Sequence, residues 1–79
     1  MRLKIISLKG VQFDGEVLGL NAKTTSGEIT VLDHHRPLIT VLESGSGVLI
    51  KKDGSREKIK INSGFLEVDR KNNLTVLAD

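Results

Sequence analysis

Residues 48–61 read VLIKKDGSREKIKI and contain the clearest fold signal in the chain. Two segments rich in apolar and basic residues flank Asp53-Gly54, a dipeptide typical of tight turns between antiparallel strands. In the second segment Ile59 and Ile61 fall on one side and the basic residues fall on the other, because successive side chains of a strand point to opposite faces. The stretch therefore predicts a β-hairpin with one apolar face.

Short β-rich segments separated by turn signals continue in both directions from this hairpin. Asp14-Gly15 is one such signal, and we expect a turn there. The segments predicted as strands are 3–8, 11–13, 16–23, 29–32, 38–42, 48–52, 56–62, 65–68 and 74–77. No segment has apolar residues at helical spacing over several turns. The pattern therefore indicates an all-β sandwich or barrel without helices.

Length and composition limit the classes of protein that the chain can belong to. Its 79 residues make one domain at most. It has no cysteine, which excludes disulfides and thiolate metal ligands. No apolar run approaches the roughly 20 residues of a membrane span, and the alternating charges of residues 1–6 are unlike a signal peptide. We therefore expect a soluble domain without direct membrane insertion.

His34-His35 is the most prominent candidate for a chemical site. A small cupin-like metalloenzyme would use these imidazoles as ligands, but adjacent side chains of an extended segment point to opposite sides. A zinc site also needs three or four protein ligands, and no second cluster is evident. Ser7, Ser26 and Ser44 have no recognisable triad partner. We therefore expect no catalytic residue, no metal and no cofactor.

The basic residues of the hairpin raise a second alternative, a small β-barrel that binds nucleic acid. Two aromatic residues, Phe13 and Phe65, are the only stacking platforms available, and the net charge is only +2. A solvated face, or a charged edge that discourages strand addition, explains the same residues. The basic set is Lys51, Lys52, Arg56, Lys58 and Lys60.

Some apolar residues fall out of phase with the inward-facing set. Ile6, Leu49 and Leu77 are candidates either for exposure on the outer surface or for burial on both faces of a strand. Exposed apolar side chains indicate an interface when they are contiguous.

Several motifs, in order and at near-family spacing, resemble the amino-terminal domain of the rotary ATP synthase epsilon subunit. The early segment 13–17 reads FDGEV, and the most recognisable stretch is GEITVL at 27–32 followed by HRPLIT at 35–40. GFLEV at 64–68 and LTVLAD at 74–79 resemble the closing hairpin and the final strand of the family. The resemblance covers essentially the whole chain.

This resemblance implies a flattened ten-stranded β-sandwich over residues 1–79 and a non-catalytic place in the central stalk. It implies binding to the gamma subunit and to the c-ring, on the cytoplasmic inner face of an energy-transducing membrane, with coupling of proton-driven ring rotation to ATP synthesis. Ser26, Gly27 and Glu28 are then expected to face the c-ring. Ser7, His35, Pro37 and Leu38 are expected to face the gamma subunit.

The resemblance also implies that the carboxy-terminal helical hairpin of the family is missing after Asp79. A helix rises about 1.5 Å per residue, so reaching the catalytic head takes a few dozen residues. We therefore expect rotor attachment without inhibition of ATP hydrolysis by an extended helix.

Overall fold

The regular structure of the chain consists of short β-strands. A computed structural model describes residues 1–78, and it contains nine strands and no helix in that range. The strands are β1 Arg2–Ser7, β2 Gly10–Glu16, β3 Gly19–Thr24, β4 Gly27–Leu32, β5 Leu38–Leu42, β6 Gly45–Ile50, β7 Arg56–Ile61, β8 Gly64–Val68 and β9 Asn73–Ala78. The all-β prediction is confirmed. The resemblance implied ten strands; the described residues contain the nine that the pattern predicts.

All strands belong to one hydrogen-bonded sheet that folds over into two layers. The first layer has the order β2-β1-β9-β8-β5, and the second has the order β4-β3-β6-β7. The layers join where β5 meets β3, through a single pair between Leu42 and Thr24. All pairs are antiparallel except that of β1 with β9, which is parallel. This parallel pair brings the first and last strands of the domain together.

The core lies between the two layers. Alternate residues point inward along each strand, so Leu3 of β1 lies beside Leu74 of β9, and Leu74 lies beside Val68 of β8. The second layer contributes Leu20, whose side chain is completely buried. The full cluster is Met1, Leu3, Val17, Leu20, Ala22, Val31, Leu42, Leu49, Ile61, Leu66, Val68, Leu74 and Val76.

The predicted turn at Asp14-Gly15 is wrong, because both residues lie inside β2. They pair with Lys4 and Leu3 of β1. The Asp14 carboxylate accepts hydrogen bonds from the Arg2 guanidinium, with Oδ1 2.9 Å from Nη2, instead of capping a turn. The Asp14 side chain therefore links β2 to Arg2 of β1 and does not stabilise a turn.

The turns gather at two opposite ends of the sandwich, as the strand register requires. One end, named the Ser26 end, has the turns 8–9, 25–26, 43–44 and 62–63. The other, named the Met1 end, has residue 1 and the connections 17–18, 33–37, 51–55 and 69–72.

Candidate partner-binding surfaces

An unbroken row of apolar side chains crosses the outer face of the first layer. The register pairs Val11 with Ile6, Ile6 with Leu77, Leu77 with Phe65 and Phe65 with Val41. These five residues are named the apolar row, and they come one from each strand of the layer. A β-bulge at the edge keeps Val11 on this face, because the register shifts between Ile5 and Ile6.

The apolar row faces outward and is not part of the core. Phe65 is 55 % exposed, Leu77 50 % and Val11 59 %. The strands of Phe65 and Leu77 also supply buried residues on the inner face. Ile39, two residues before Val41, is also exposed. Single exposed apolar residues are ordinary, but a contiguous strip across five strands is typical of an interaction surface.

A polar row borders the apolar row on the side of the Met1 end. Its members are Asp14, Lys4, Thr75 and Glu67. An apolar centre beside a charged rim is the common composition of protein–protein interfaces. The apolar row itself lies next to the Ser26 end, since Val41 precedes Leu42, the residue that pairs with Thr24.

The turn between β3 and β4 is fixed by its own side chains. The buried Thr24 hydroxyl accepts a hydrogen bond from the Ser26 amide at 3.1 Å and donates one to the Gly27 carbonyl at 2.7 Å. Gly27 has a φ of 115°, a conformation that a side chain would strain. The exposed Ser26, Gly27 and Glu28 are thus presented at the Ser26 end on a rigid turn.

Ser7 is the last residue of β1 and lies at the Ser26 end. Its hydroxyl accepts a hydrogen bond from the Lys9 amide at 3.2 Å. Its neighbour Ile6 belongs to the apolar row, whereas Ser7 lines a cleft between the two layers. The structure therefore places Ser7 beside the apolar row but not on the same face.

His35, Pro37 and Leu38 lie at the Met1 end, so the structure does not bring them together with Ser7. His35 donates its amide to the Leu32 carbonyl at 3.1 Å, and its Nδ1 lies 2.7 Å from the Arg36 carbonyl. Pro37 is exposed. Leu38 is half-buried and packs against the core, which leaves Ile39 as the outward-facing residue of this segment.

The loop that carries His35 is anchored by the first residue of the chain. The Met1 ammonium donates hydrogen bonds to the Asp33 carboxylate and, at 3.0 Å, to the Val17 carbonyl. Asn72 donates to the same carboxylate at 2.8 Å and accepts from the His34 amide at 2.7 Å. Hydrogen bonds from the ammonium and from Asn72 hold the pKa of Asp33 below its ordinary value.

The histidines do not form a metal site with their neighbours. His34 Nε2 lies 4.0 Å from the nearest Asp33 oxygen. Across residues 1–78 no group of three or more histidine or acidic side chains is arranged to hold an ion. The same residues contain no helix long and apolar enough to cross a membrane.

The two phenylalanines lie on different surfaces. Phe65 is on the outer face of the first layer, whereas Phe13 is half-buried and lines the interlayer cleft. They therefore do not form a shared stacking platform for nucleic-acid bases. The basic side chains of β7 are exposed on the second layer, and Lys60 also lines the cleft that contains Phe13.

Comparison with known families agrees with this geometry. The family described as ATP synthase, Delta/Epsilon chain, beta-sandwich domain matches residues 1–79. The chain belongs to this ATP synthase family. The recognition made from the sequence motifs is therefore confirmed.

Named relatives of this family member are ATP synthase epsilon chains. The one from Psychrobacter cryohalolentis is 40% identical over 79 residues, which is 100% of this chain and 56% of the relative. The one from Sulfurimonas denitrificans is 41% identical over 71 residues, covering 90% of this chain and 55% of the relative. The chain thus spans about half the length of the epsilon chains that it matches.

Solved structures share the fold at lower sequence identity. A chain of the Euglena gracilis mitochondrial ATP synthase superposes with a TM-score of 0.89 at 21% identity, covering 96% of this chain and 48% of that one. A chain of the Tetrahymena thermophila mitochondrial ATP synthase, from its central stalk and c-ring, has a TM-score of 0.79 at 15% identity, covering 99% and 62%. The family's β-sandwich is therefore the fold of this chain.

The sequence of this ATP synthase domain predicts only part of the apolar row. The sequence marks Ile6 and Leu77 as out of phase with the inward-facing residues, and both lie in the row. Leu49, which it marks in the same way, is instead buried against the core. The sequence pattern does not mark Val11, Val41 or Phe65 as outward-facing apolar residues. Segments 38–42 and 64–68 do have apolar residues at both odd and even positions, which indicates apolar side chains on both faces of the strand.

Proposed function

We propose that this chain is a non-catalytic rotor subunit in the central stalk of a proton-translocating ATP synthase. It binds the gamma subunit and the c-ring, and it couples rotation of the ring to ATP synthesis. Residues 1–79 act as one docking domain in this role. The single observation that carries the proposal is the apolar row across the first layer, in a chain that belongs to the delta/epsilon family.

The gamma subunit covers the apolar row. Burial of contiguous apolar surface is the main source of free energy in a stable protein–protein contact. Ile6, Leu77 and Phe65 occupy the middle of the row, on strands that are paired on both sides. The gamma contact extends along β5 through Ile39 towards Pro37 and His35, whereas Ser7 contributes at the opposite end.

The c-ring contacts the Ser26 end. Ser26, Gly27 and Glu28 present polar groups there on a turn held by Thr24. A polar turn on a rigid scaffold suits contact with the polar loops of a membrane ring, because little conformational entropy is lost on binding.

The two surfaces meet at one corner of the sandwich, so both partners can be bound at once. Val41 of the apolar row precedes Leu42, and Leu42 pairs with Thr24 at the base of the turn. The core between the layers makes the corner stiff, as close-packed interiors are. Torque from the ring is thereby transmitted to the stalk. The domain remains peripheral to the membrane, at its inner face, through these two partners.

Reconstitution with isolated gamma subunit and isolated c-ring tests this proposal. The 79-residue chain should bind each partner, and the ternary complex should form. Leu77→Glu should abolish gamma binding, because it places a charge in the middle of the apolar row. Leu32→Glu is the matched control: Leu32 is 52 % exposed, close to the 50 % of Leu77, but lies on the second layer.

Glu28→Lys separates the second contact from the first. It should weaken binding to the c-ring and leave binding to gamma unchanged. Lys52→Glu, a charge reversal in a turn at the Met1 end, should leave both contacts intact. A chain that binds neither partner would contradict the proposal, as would equal effects of Leu77→Glu and Leu32→Glu on gamma binding.

A further inference from the structure

The sandwich is open along one side, between the free edges of β2 and β7. These two strands are the termini of the hydrogen-bonded path, and within residues 1–78 neither has a pairing partner on its outer edge. A cleft of about 520 Å³ lies between them and reaches the core. The backbone groups of an edge strand can pair with an added strand.

The cleft has an apolar floor. Ile5 and Phe13 line it from the first layer, and Leu49 and Ile59 line it from the second. Leu8, at the mouth of the cleft, is 94 % exposed. Apolar side chains inserted between the layers would therefore find an apolar surface to cover.

The outer face of β7 is basic. Arg56, Lys58 and Lys60 alternate with the residues that face inward, and Lys58 and Lys60 also border a shallow depression beside Ser46. Lys9 and Gln12 lie along the opposite wall of the cleft.

The acidic groups around this side already have cationic partners. Glu57, which lines the cleft, has its carboxylate 2.9 Å from Lys51 Nζ. On β2, Asp14 is paired with Arg2. The net field along β7 is therefore positive.

We propose that the β7 edge binds an extended acidic segment of a partner protein by strand addition. In the added strand, residues opposite Ile59 and Ile61 are apolar and enter the cleft. Residues opposite Lys58 and Lys60 are acidic and lie on the basic outer face. Strand addition obtains affinity from main-chain hydrogen bonds and specificity from alternate side chains.

The charge pattern also disfavours pairing of β7 with β7 of a second copy. Two such edges would place like charges opposite each other, which is unfavourable between neighbouring strands. The same lysines that repel a second copy attract a segment rich in glutamate or aspartate. The β7 edge is separate from the apolar row, and of the residues assigned to the gamma contact Ser7 alone also lines the cleft. Either proposal can therefore fail alone.

A designed probe tests the proposal without knowledge of the natural partner. The probe is a fluorescent nonapeptide of alternating glutamate and valine, titrated against the 79-residue chain by anisotropy. We expect saturable binding that peptides of alternating lysine and valine, or of glutamate and serine, do not show. Two further probes carry N-methyl groups on one or the other alternate set of amides. Only one of them should lose binding, because an edge strand pairs with a single set.

Charge reversal locates the site. Lys58→Glu with Lys60→Glu should weaken probe binding on the order of tenfold or more, since two attractive cross-strand pairs become repulsive. Arg70→Glu with Lys71→Glu makes the same charge change in the 69–72 turn at the Met1 end and should leave binding within about twofold. Folding of both variants is checked by circular dichroism.

Three results would overturn the proposal. The first is absence of saturable binding by the glutamate–valine probe. The second is equal binding of both N-methylated probes. The third is displacement of the probe by a single-stranded oligonucleotide of equal charge, which would identify a general polyanion surface instead.

Discussion

Replacing Phe65 by alanine is the sharpest perturbation of the proposed gamma contact. Phe65 lies in the apolar row between Leu77 and Val41, and it is 55 % exposed. Because most of the ring already faces water in the free domain, its removal should change the free energy of unfolding far less than a core truncation. Its loss should instead weaken the complex.

The expected size of the effect follows from the exposed area. A phenylalanine side chain has about 200 Å² of surface, so an exposure of 55 % leaves about 110 Å² to be buried on docking. At about 25 cal/mol per Å² this corresponds to about 2–3 kcal/mol of binding free energy, or a Kd raised about 30- to 140-fold.

Isothermal titration of the purified chain with isolated gamma subunit measures this change. Leu32→Ala is the control, because Leu32 is similarly exposed but lies outside the first layer. A Kd unchanged by Phe65→Ala in a folded variant would refute the reasoning. An equal loss caused by Leu32→Ala would refute it as well.

Two further predictions concern stability. Gly64→Ala should destabilise the fold by about 2 kcal/mol or more, because a Cβ there would overlap the Leu77 carbonyl oxygen. Gly27→Ala, where a Cβ has open space but φ is 115°, should cost about 1 kcal/mol; urea denaturation giving equal costs would contradict this ranking. The pKa of Asp33 in the folded state is below its ordinary value, so the ionised carboxylate stabilises the fold. This contribution to the free energy of unfolding is complete above about pH 4 and is lost as the pH falls through the lower, folded-state pKa. The stability difference between the natural chain and Asp33→Asn should therefore shrink in acid, and a difference that stays constant down to pH 2 would contradict the assigned hydrogen bonds to the ammonium and Asn72.

Most of the strand pattern could be predicted from the sequence, because turn residues and alternation are local signals. Each segment predicted as a strand overlaps one of the observed strands. The neighbouring residues gave no reason to doubt a turn at Asp14-Gly15. These two residues lie in a strand because they pair with Lys4 and Leu3, which are distant in the sequence. The parallel pairing of β1 with β9 is likewise a contact between the two ends of the chain, which no local pattern reports.

The candidate surfaces were predicted less completely than the fold. Ile6 and Leu77 stood out because their phase conflicts with that of their strands, but the row becomes visible only when five strands are aligned in space. In β6 the inward phase is set by Gly47 and Leu49. Because glycine has no side chain, that phase gives a weak periodic signal, and Leu49 was therefore ambiguous. The assignments to gamma and to the c-ring remain predictions from the family resemblance.

Protection of single cysteines tests the central claim most directly, because the natural chain contains none. Val41→Cys and Leu77→Cys report on the apolar row, and Leu32→Cys reports on the second layer. Maleimide labelling of each variant is followed by mass spectrometry, with and without gamma subunit. The account predicts slower labelling at positions 41 and 77 in the complex and unchanged labelling at position 32. Protection at position 32 alone, or at none of the three positions in a complex that has formed, would contradict it.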